Sequence, residues 1–373
     1  MSGRPAPARA PTRNRRGKPT RDKARRHRDT HRDARLHYVS DDLPGIRRCG
    51  RTRFHYVGPG GQRVRDAATL ARIRALAIPP AWTDVWICRD PRGHVQATGR
   101  DAKGRKQYRY HPAWIRRSRH DKHERIVAFG AALPRLRRAL RRALAGPGLP
   151  KDKVVAMVVA VMATTLIRIG NAEYAASNRS YGLTTLRNRH VQAMRSGGLR
   201  FRFRGKSGKS QEVPLTDARL VRLVRRCQQL PGQHLFQYVE AGSCHPVSSA
   251  DVNRWLQAAM GEDFSAKDFR TWGATALAFR ALATTALPED GAEAGDSERS
   301  LTALENAVVE QVAATLGNTR AVCRSAYIDP CVFPAWRAAT LARYARGAIG
   351  ERQWEAATLR FLRAQRRKPR MLG

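Results

Sequence analysis

The chain has 373 residues, 42% of them apolar, enough for one large core or two modest ones, since domains usually run about 100–200 residues. Lys and Arg number 71 against 30 Asp and Glu, a formal charge of +41, which selects a polyanionic partner and makes counterion release a main source of binding free energy. An anionic membrane is the poorer match, because no segment carries the broad apolar face of an interfacial helix, whereas Arg, which dominates the basic residues, forks onto phosphate oxygens.

Residues 1–35 hold Pro, Arg, Lys and His with almost no apolar side chain, and are expected to form a disordered basic tail able to grip nucleic acid without sequence preference. They contain no apolar core of a secretory signal. Residues 36–120 read as a β-rich domain. FHYVGPGGQRV (54–64) predicts a hairpin around Gly-Pro-Gly-Gly, and a short helix follows over 67–77. DVWICRDPRGHVQATG (84–99) predicts two strands around Asp-Pro-Arg-Gly, and GRKQYRYH (104–111) a basic, aromatic strand.

RRSRHDKHE (116–124) reads as a polar linker into a second domain, 121–373, that is helical from about Arg125, with Pro134 placed to kink or split its first helix. The run from Val154 to Ile167 is too short to span a bilayer and ends on Arg168, so it predicts a buried core helix. LRFRFRG (199–205) alternates Leu199, Phe201 and Phe203 with Arg200, Arg202 and Arg204. With the turn GKSGK and the return QEVPL (211–215) it predicts a hairpin with one apolar and one cationic face. LPEDGAEAGDSE (287–298) is acidic and unpatterned, and predicts a mobile surface loop. The fold class is α+β.

The six cysteines, Cys49, Cys88, Cys227, Cys244, Cys323 and Cys331, are scattered without CxxC pairs or Cys/His ligand spacing. That argues against a zinc site and a secreted disulfide framework, and for a reducing cytosol. Gly208-Lys209-Ser210 ends like a phosphate-binding loop, but the first required Gly position is Phe203 and the context is a hairpin. Cys244-His245 has no partners at ligand spacing and reads as structural.

Phosphodiester transfer needs a nucleophile, cationic donors around the non-bridging oxygens and an acid for the leaving oxygen; Tyr, Arg and Lys can supply all three without a metal. LIRIGN (166–171) brings Arg168 to the end of the buried helix, and FRGKSGK (203–209) brings Lys206 to the hairpin turn. KDFRTWG (267–273) brings Arg270 to the first turn of a helix, and LGNTRAVCRSAYIDP (316–330) sets Tyr327 nine residues after Asn318 across a helix stop at Gly317. In order, spacing and element type these segments resemble the catalytic domain of type IB DNA topoisomerases, cellular and poxvirus enzymes included. IPPAWTDV (78–85) and GRKQYRYH resemble that family's N-terminal DNA-clamping domain, so the resemblance covers roughly residues 38–345.

The resemblance implies a small β-rich lobe and a mainly helical catalytic domain closing as a monomeric clamp around double-stranded DNA, in the cytoplasm and on the nucleoid. It implies nicking, rotation and religation with no cofactor, neither ATP nor metal. By the same resemblance Tyr327 attacks the scissile phosphate and is joined to the DNA 3′ end, Arg168 and Arg270 hold the non-bridging oxygens, and Lys206 protonates the departing 5′ hydroxyl. Asn318 stands where the poxvirus and eukaryotic enzymes have His. An amide can still donate a neutral hydrogen bond to phosphate but carries neither proton nor charge, which implies an orienting role and a bacterial member. Arg105, Lys106, Gln107, Tyr108 and Tyr110 on the exposed strand are expected to bind DNA, Gln107 and Tyr108 in the major groove, and Tyr174 to contact a phosphate.

Taken alone, each residue has a plainer reading: Tyr327 as an amphipathic helix-edge tyrosine, Arg168 as a helix C-cap, Lys206 as a turn lysine. The ordered set carries the inference. A tyrosine recombinase would share the Tyr–DNA intermediate but carry His-x-x-Arg where this chain has Lys-Asp-Phe-Arg (267–270), and its N-terminal module is helical. A non-catalytic architectural DNA binder would need only the charge. A type IA topoisomerase would need an acidic metal cluster that is not legible here.

Overall fold

The computed structural model describes residues 36–261, 263–288 and 294–367; the predicted basic tail lies outside them. The chain divides into two compact units, at Ser118/Arg119, and its architecture is α+β, as the patterning predicts.

The first unit is an antiparallel sheet of five strands, β1 (Ile46–Cys49), β2 (His55–Val57), β3 (Thr83–Ile87), β4 (Val95–Arg100) and β5 (Lys106–Tyr110), ordered β2-β1-β3-β4-β5. Helix α1 (Ala67–Ala75) starts at Asp66, whose carboxylate accepts from the Thr69 amide, a standard N-cap. Ile46, Ile73, Val85, Ile87 and Ala97 form a small core between helix and sheet. Four of the predicted strands, β2 to β5, are present. The hairpin expected over 54–64 shrinks to β2 and a single bridge, Val57 to Arg63, and β2 finds its main partner in β1, a strand the sequence reading missed.

The unit boundary falls inside a long helix, α2 (Pro112–Ala143). The polar linker expected over 116–124 is therefore helical. Pro134 does not split this helix, since Phe129, Leu133 and Leu136 are buried on either side of it and their packing outweighs one lost hydrogen bond.

The second unit is built around α3 (Lys151–Thr165), whose residues Val154 to Met162 are all buried. A helix apolar on every side belongs at the centre of a fold, and no helix among the described residues is long and apolar enough to cross a membrane. After α4 (Ala172–Asn178), a three-stranded sheet runs β6 (Val191–Ala193), β7 (Leu199–Arg204) and β8 (Ser210–Leu215), with β7 in the middle. On β7, Leu199, Phe201 and Phe203 are buried and the three arginines exposed, as the alternation predicts. Then come α5 (Ala218–Gln228), a hairpin of β9 (Gln237–Glu240) and β10 (Ser243–Pro246), α6 (Ser249–Met260) and α7 (Ala266–Ala283). Helix α3 packs against α5, α6, α7, β8 and β9.

The acidic segment 287–298 is not all loop, for α8 (Ala294–Leu316) begins within it. Helix formation there is supported downstream, where Arg337 grips both Glu298 and the buried Glu305. The chain ends through α9 (Arg320–Ala326), α10 (Val332–Arg337), α11 (Ala342–Ala345) and α12 (Glu351–Arg367).

Candidate active site

Three helix ends converge in the second unit. Helix α3 stops at Leu166, which takes a left-handed conformation (φ 54°), costing about 1–2 kcal/mol for a branched residue. The tight approach of α7 is allowed by Gly273, where a Cβ would lie 2.6 Å from Leu166 Cδ1. Helix α8 stops at Gly317 (φ 59°), with the Gly317 amide donating to Ala314 and the Asn318 amide to Ala313, a Schellman closure. A side chain at Gly317 would also strike Gln211 Oε1 on β8, 2.0 Å from the added Cβ. Helix α9 ends on Tyr327, whose amide donates to Cys323.

Arg270 ties two of these ends together. Its Nη1 donates to the Leu166 carbonyl at 2.6 Å and its Nη2 to the Leu316 carbonyl at 2.8 Å. Carbonyls at helix C-termini lack intrahelical donors and carry the negative end of the dipole, so they hold a buried cation without a carboxylate. The residue is only 5% exposed, and its Nε has no partner. It sits one residue beyond the first turn of α7, slightly deeper than predicted. Burial and the charge of Arg168 pull its guanidinium down to about 10, still charged near neutrality.

Arg168, two residues past the α3 cap, donates to the Asn318 side-chain oxygen. Because a guanidinium only donates, this bond fixes the amide orientation and leaves Nδ2 free to donate elsewhere; that atom is buried and unpartnered. Arg168, Arg270 and Lys206 line one small cleft with Tyr181, Phe203 and Gln211, and among the described residues no carboxylate lines it. Lys206 lies in a short 3-10 turn between β7 and β8, where Ser207 also has a positive φ of 61°.

Tyr327 is not in the lining of that cleft but meets it through Arg270, whose Cζ lies 5.2 Å from the ring centre. On α7, Thr275 Oγ1 donates to the Tyr327 carbonyl at 3.3 Å and accepts from the Asp329 amide at 3.0 Å, which pins the turn after α9. Burial alone would raise the Tyr327 phenol; the charge of Arg270 and a hydrogen bond to it, with the charges of Arg168 and Lys122, outweigh burial and hold it below the usual tyrosine range. Burial likewise lowers the Arg168 guanidinium, with Tyr327 opposing.

Structure thus brings Arg168, Lys206, Arg270, Asn318 and Tyr327 together. It adds two residues the sequence reading passed over, Thr275 and Lys122. Lys122 Nζ lies 4.7 Å from the Tyr327 ring centre and donates to the Ala326 carbonyl. Nothing local in the sequence could flag it, because its partner is 204 residues away.

The other predicted residues lie elsewhere. Tyr174 stands exposed on α4, whose N-cap is Asn171. In the first unit, β5 alternates in burial, with Lys106, Tyr108 and Tyr110 exposed and Gln107 half-buried. Gln107 and Tyr108 therefore point to opposite faces of the strand, which separates the pair expected to share a groove. Tyr108 and Tyr110 stack 5.8 Å apart on the exposed face. Gln107 donates to Asp101, as does Arg105, and Lys106 pairs with Asp41. Among the described residues no group of His, Cys, Asp and Glu is arranged to hold a metal ion.

Comparison with known proteins points to one family. Residues 108–329, more than half of the chain, match the family described as eukaryotic DNA topoisomerase I, catalytic core. Residues 53–101 match bacterial DNA topoisomerase IB, N-terminal domain. The DNA topoisomerase 1B of Acanthamoeba polyphaga mimivirus is 36% identical over 218 residues, which are 57% of this chain and 65% of that protein.

Proposed function

Since the chain belongs to the family of the DNA topoisomerase I catalytic core, we propose that it is a type IB DNA topoisomerase that relaxes supercoiled duplex DNA through a 3′-phosphotyrosyl intermediate. The observation that carries this reading is the Tyr327 phenol set against a buried guanidinium, Arg270, that no carboxylate neutralises among the described residues.

In this mechanism Tyr327 Oη attacks the scissile phosphorus and passes its proton to solvent water as the new O–P bond forms. The bond from phosphorus to the 5′ oxygen breaks, and Lys206 gives that oxygen a proton. Arg168, Arg270 and the free Nδ2 of Asn318 hold the non-bridging oxygens and stabilise the charge of the pentacoordinate transition state, each such donor contributing about 10²–10³ in rate. One phosphodiester is exchanged for another, so the bond energy is retained for religation and no ATP is consumed. The exposed face of β5, with Tyr108 and Tyr110, and the exposed Tyr174 contact the DNA backbone. The enzyme acts as a monomer, because a single-strand cut needs one such site, and it works on the nucleoid in the cytoplasm.

The test is relaxation of supercoiled plasmid in EDTA without ATP. Wild type relaxes both positive and negative supercoils, and Tyr327→Phe binds DNA but leaves it supercoiled. Binding by both proteins with relaxation by neither would leave a DNA-binding scaffold instead of an enzyme.

A further inference from the structure

We propose that Lys122, on the helix that opens the second unit, is a further positioning residue for the nucleophile, which it seats and electrostatically activates. The inference rests on the function proposed above.

Two contacts define its position. Its ammonium donates to the carbonyl of Ala326, the last residue of α9. That carbonyl belongs to the set that no intrahelical donor can reach, and it carries the negative end of the helix dipole. The same ammonium lies 4.7 Å from the centre of the Tyr327 ring, a cation–π distance. One group thus closes the end of the nucleophile's helix and fixes the ring that extends from it.

The charged surroundings of Tyr327 make this contribution separable. Arg270 faces the ring from α7 and Arg168 acts from the segment after α3. On α9 itself, Cys323 is pushed up to about 11, mainly by burial, and stays neutral, while Arg324 is engaged by the buried Glu305 of α8. Asp329, beyond the nucleophile, is held by Arg366 of α12 and faces His123 of α2. Asp329 and Glu305 are therefore already paired with arginines, as is Glu310 with Arg320, and Lys122 adds its positive charge to those of the two arginines in favouring the phenolate.

The experiment is the pH dependence of single-turnover covalent adduct formation on a nick-trapping DNA duplex, using the full chain with Lys122→Met, Lys122→Gln and Lys122→Arg. Loss of the charge moves the acidic limb of the profile up by about one unit and slows adduct formation near neutrality about tenfold. Lys122→Arg keeps the limb near its wild-type position. A merely structural lysine would lower the whole profile without moving it, so an unmoved limb in both Met and Gln variants overturns the inference, whatever the loss in rate. If Met unfolds, Gln supplies the same reading, and a folded Arg variant with a shifted limb also counts against it. Should wild type form no adduct at all, the proposed function itself has failed; adduct formation by wild type with unmoved variants removes only the role of Lys122.

Discussion

Arg105 and Lys106, where strand β5 begins, and the two arginines around Tyr327 are held in opposite ways. Lys106 sits 2.5 Å from Asp41, and Arg105 lies 2.6 Å from Asp101, both cations being exposed residues of the first unit. Arg168 and Arg270 are held by an amide oxygen and two helix-end carbonyls, and among the described residues no carboxylate pairs with either. A carboxylate fixes a cation and cancels its charge. A carbonyl dipole fixes it and leaves the charge available. In a buried, low-dielectric setting that surviving charge acts on a phosphate far more strongly than it would in water, whereas a surface pair must exchange its carboxylate for a phosphate before it gains anything.

The sharpest way to break this contrast is to remove the keystone. Arg270→Ala leaves two buried carbonyls unpaired, and each lost bond costs about 1–3 kcal/mol. It also removes the charge beside Tyr327, so adduct formation falls by about 10²–10³, and thermal melting drops with it. Arg270→Lys should rescue little, because one ammonium cannot span the Leu166 and Leu316 carbonyls with the geometry of a planar fork. Melting curves and single-turnover cleavage on the same preparations check both halves. A folded, active Arg270→Lys enzyme would mean that charge alone suffices there.

Converting one regime into the other is the next largest effect. Asn318→Asp places a carboxylate on Arg168, as Asp101 is placed on Arg105. The fold should hold, since the new pair is attractive, but the carboxylate cancels Arg168, pushes the Tyr327 phenol upward and faces the phosphate with like charge. Cleavage is expected to fall about 10²-fold with little change in melting temperature, and Asn318→His, which keeps a donor, should lose much less. Equal activity of the Asp and Asn enzymes would sink the idea that the site depends on uncancelled charge.

How much of this was legible follows the same division. Alternation on β7, the apolar run of α3 and the stop at Gly317 are local patterns, and the structure keeps them. The five clustered residues were readable because each stands in a recognisable segment and the segments come in order. The helix through 116–124 was not readable, because its polar residues are stabilised from far along the chain: Lys122 by Ala326, and the His123 carbonyl by Arg366, 243 residues on. Composition scores such residues as linker, and only tertiary contacts make them helix. The hairpin of β9 and β10 escaped for a related reason, since His245 and Pro246 are poor strand signals and β10 is secured by pairing with Gln237 and Tyr238. Nor could sequence show that Arg270 binds carbonyls, because helix ends have no residue code for what approaches them.

The smallest effect tests the other side of the comparison, on β5. Burial would raise the Asp41 carboxyl, but hydrogen bonds from Lys106 and Thr98 and the charge of Lys106 hold it below the ordinary carboxylate range. Asp101 is lowered to about 2, chiefly by Arg105. With folded values below unfolded ones, each pair contributes its stability above the ordinary value near 3.9 and loses it only as pH falls through the lower folded value. Between pH 5 and pH 9 these pairs therefore stay intact, and DNA binding should show no titration from them. Substitution can free Lys106 where pH cannot. Asp41→Asn should raise affinity for duplex DNA a few-fold near 0.1 M salt and steepen the slope of log K against log salt by about one unit, at a stability cost of about 0–1 kcal/mol for an exposed pair. The slope is the decisive readout, because it reports a new phosphate contact and not a general change in charge. An unchanged slope in Asp41→Asn would mean that the freed lysine meets no phosphate, and that β5 engages DNA through its stacked tyrosines alone.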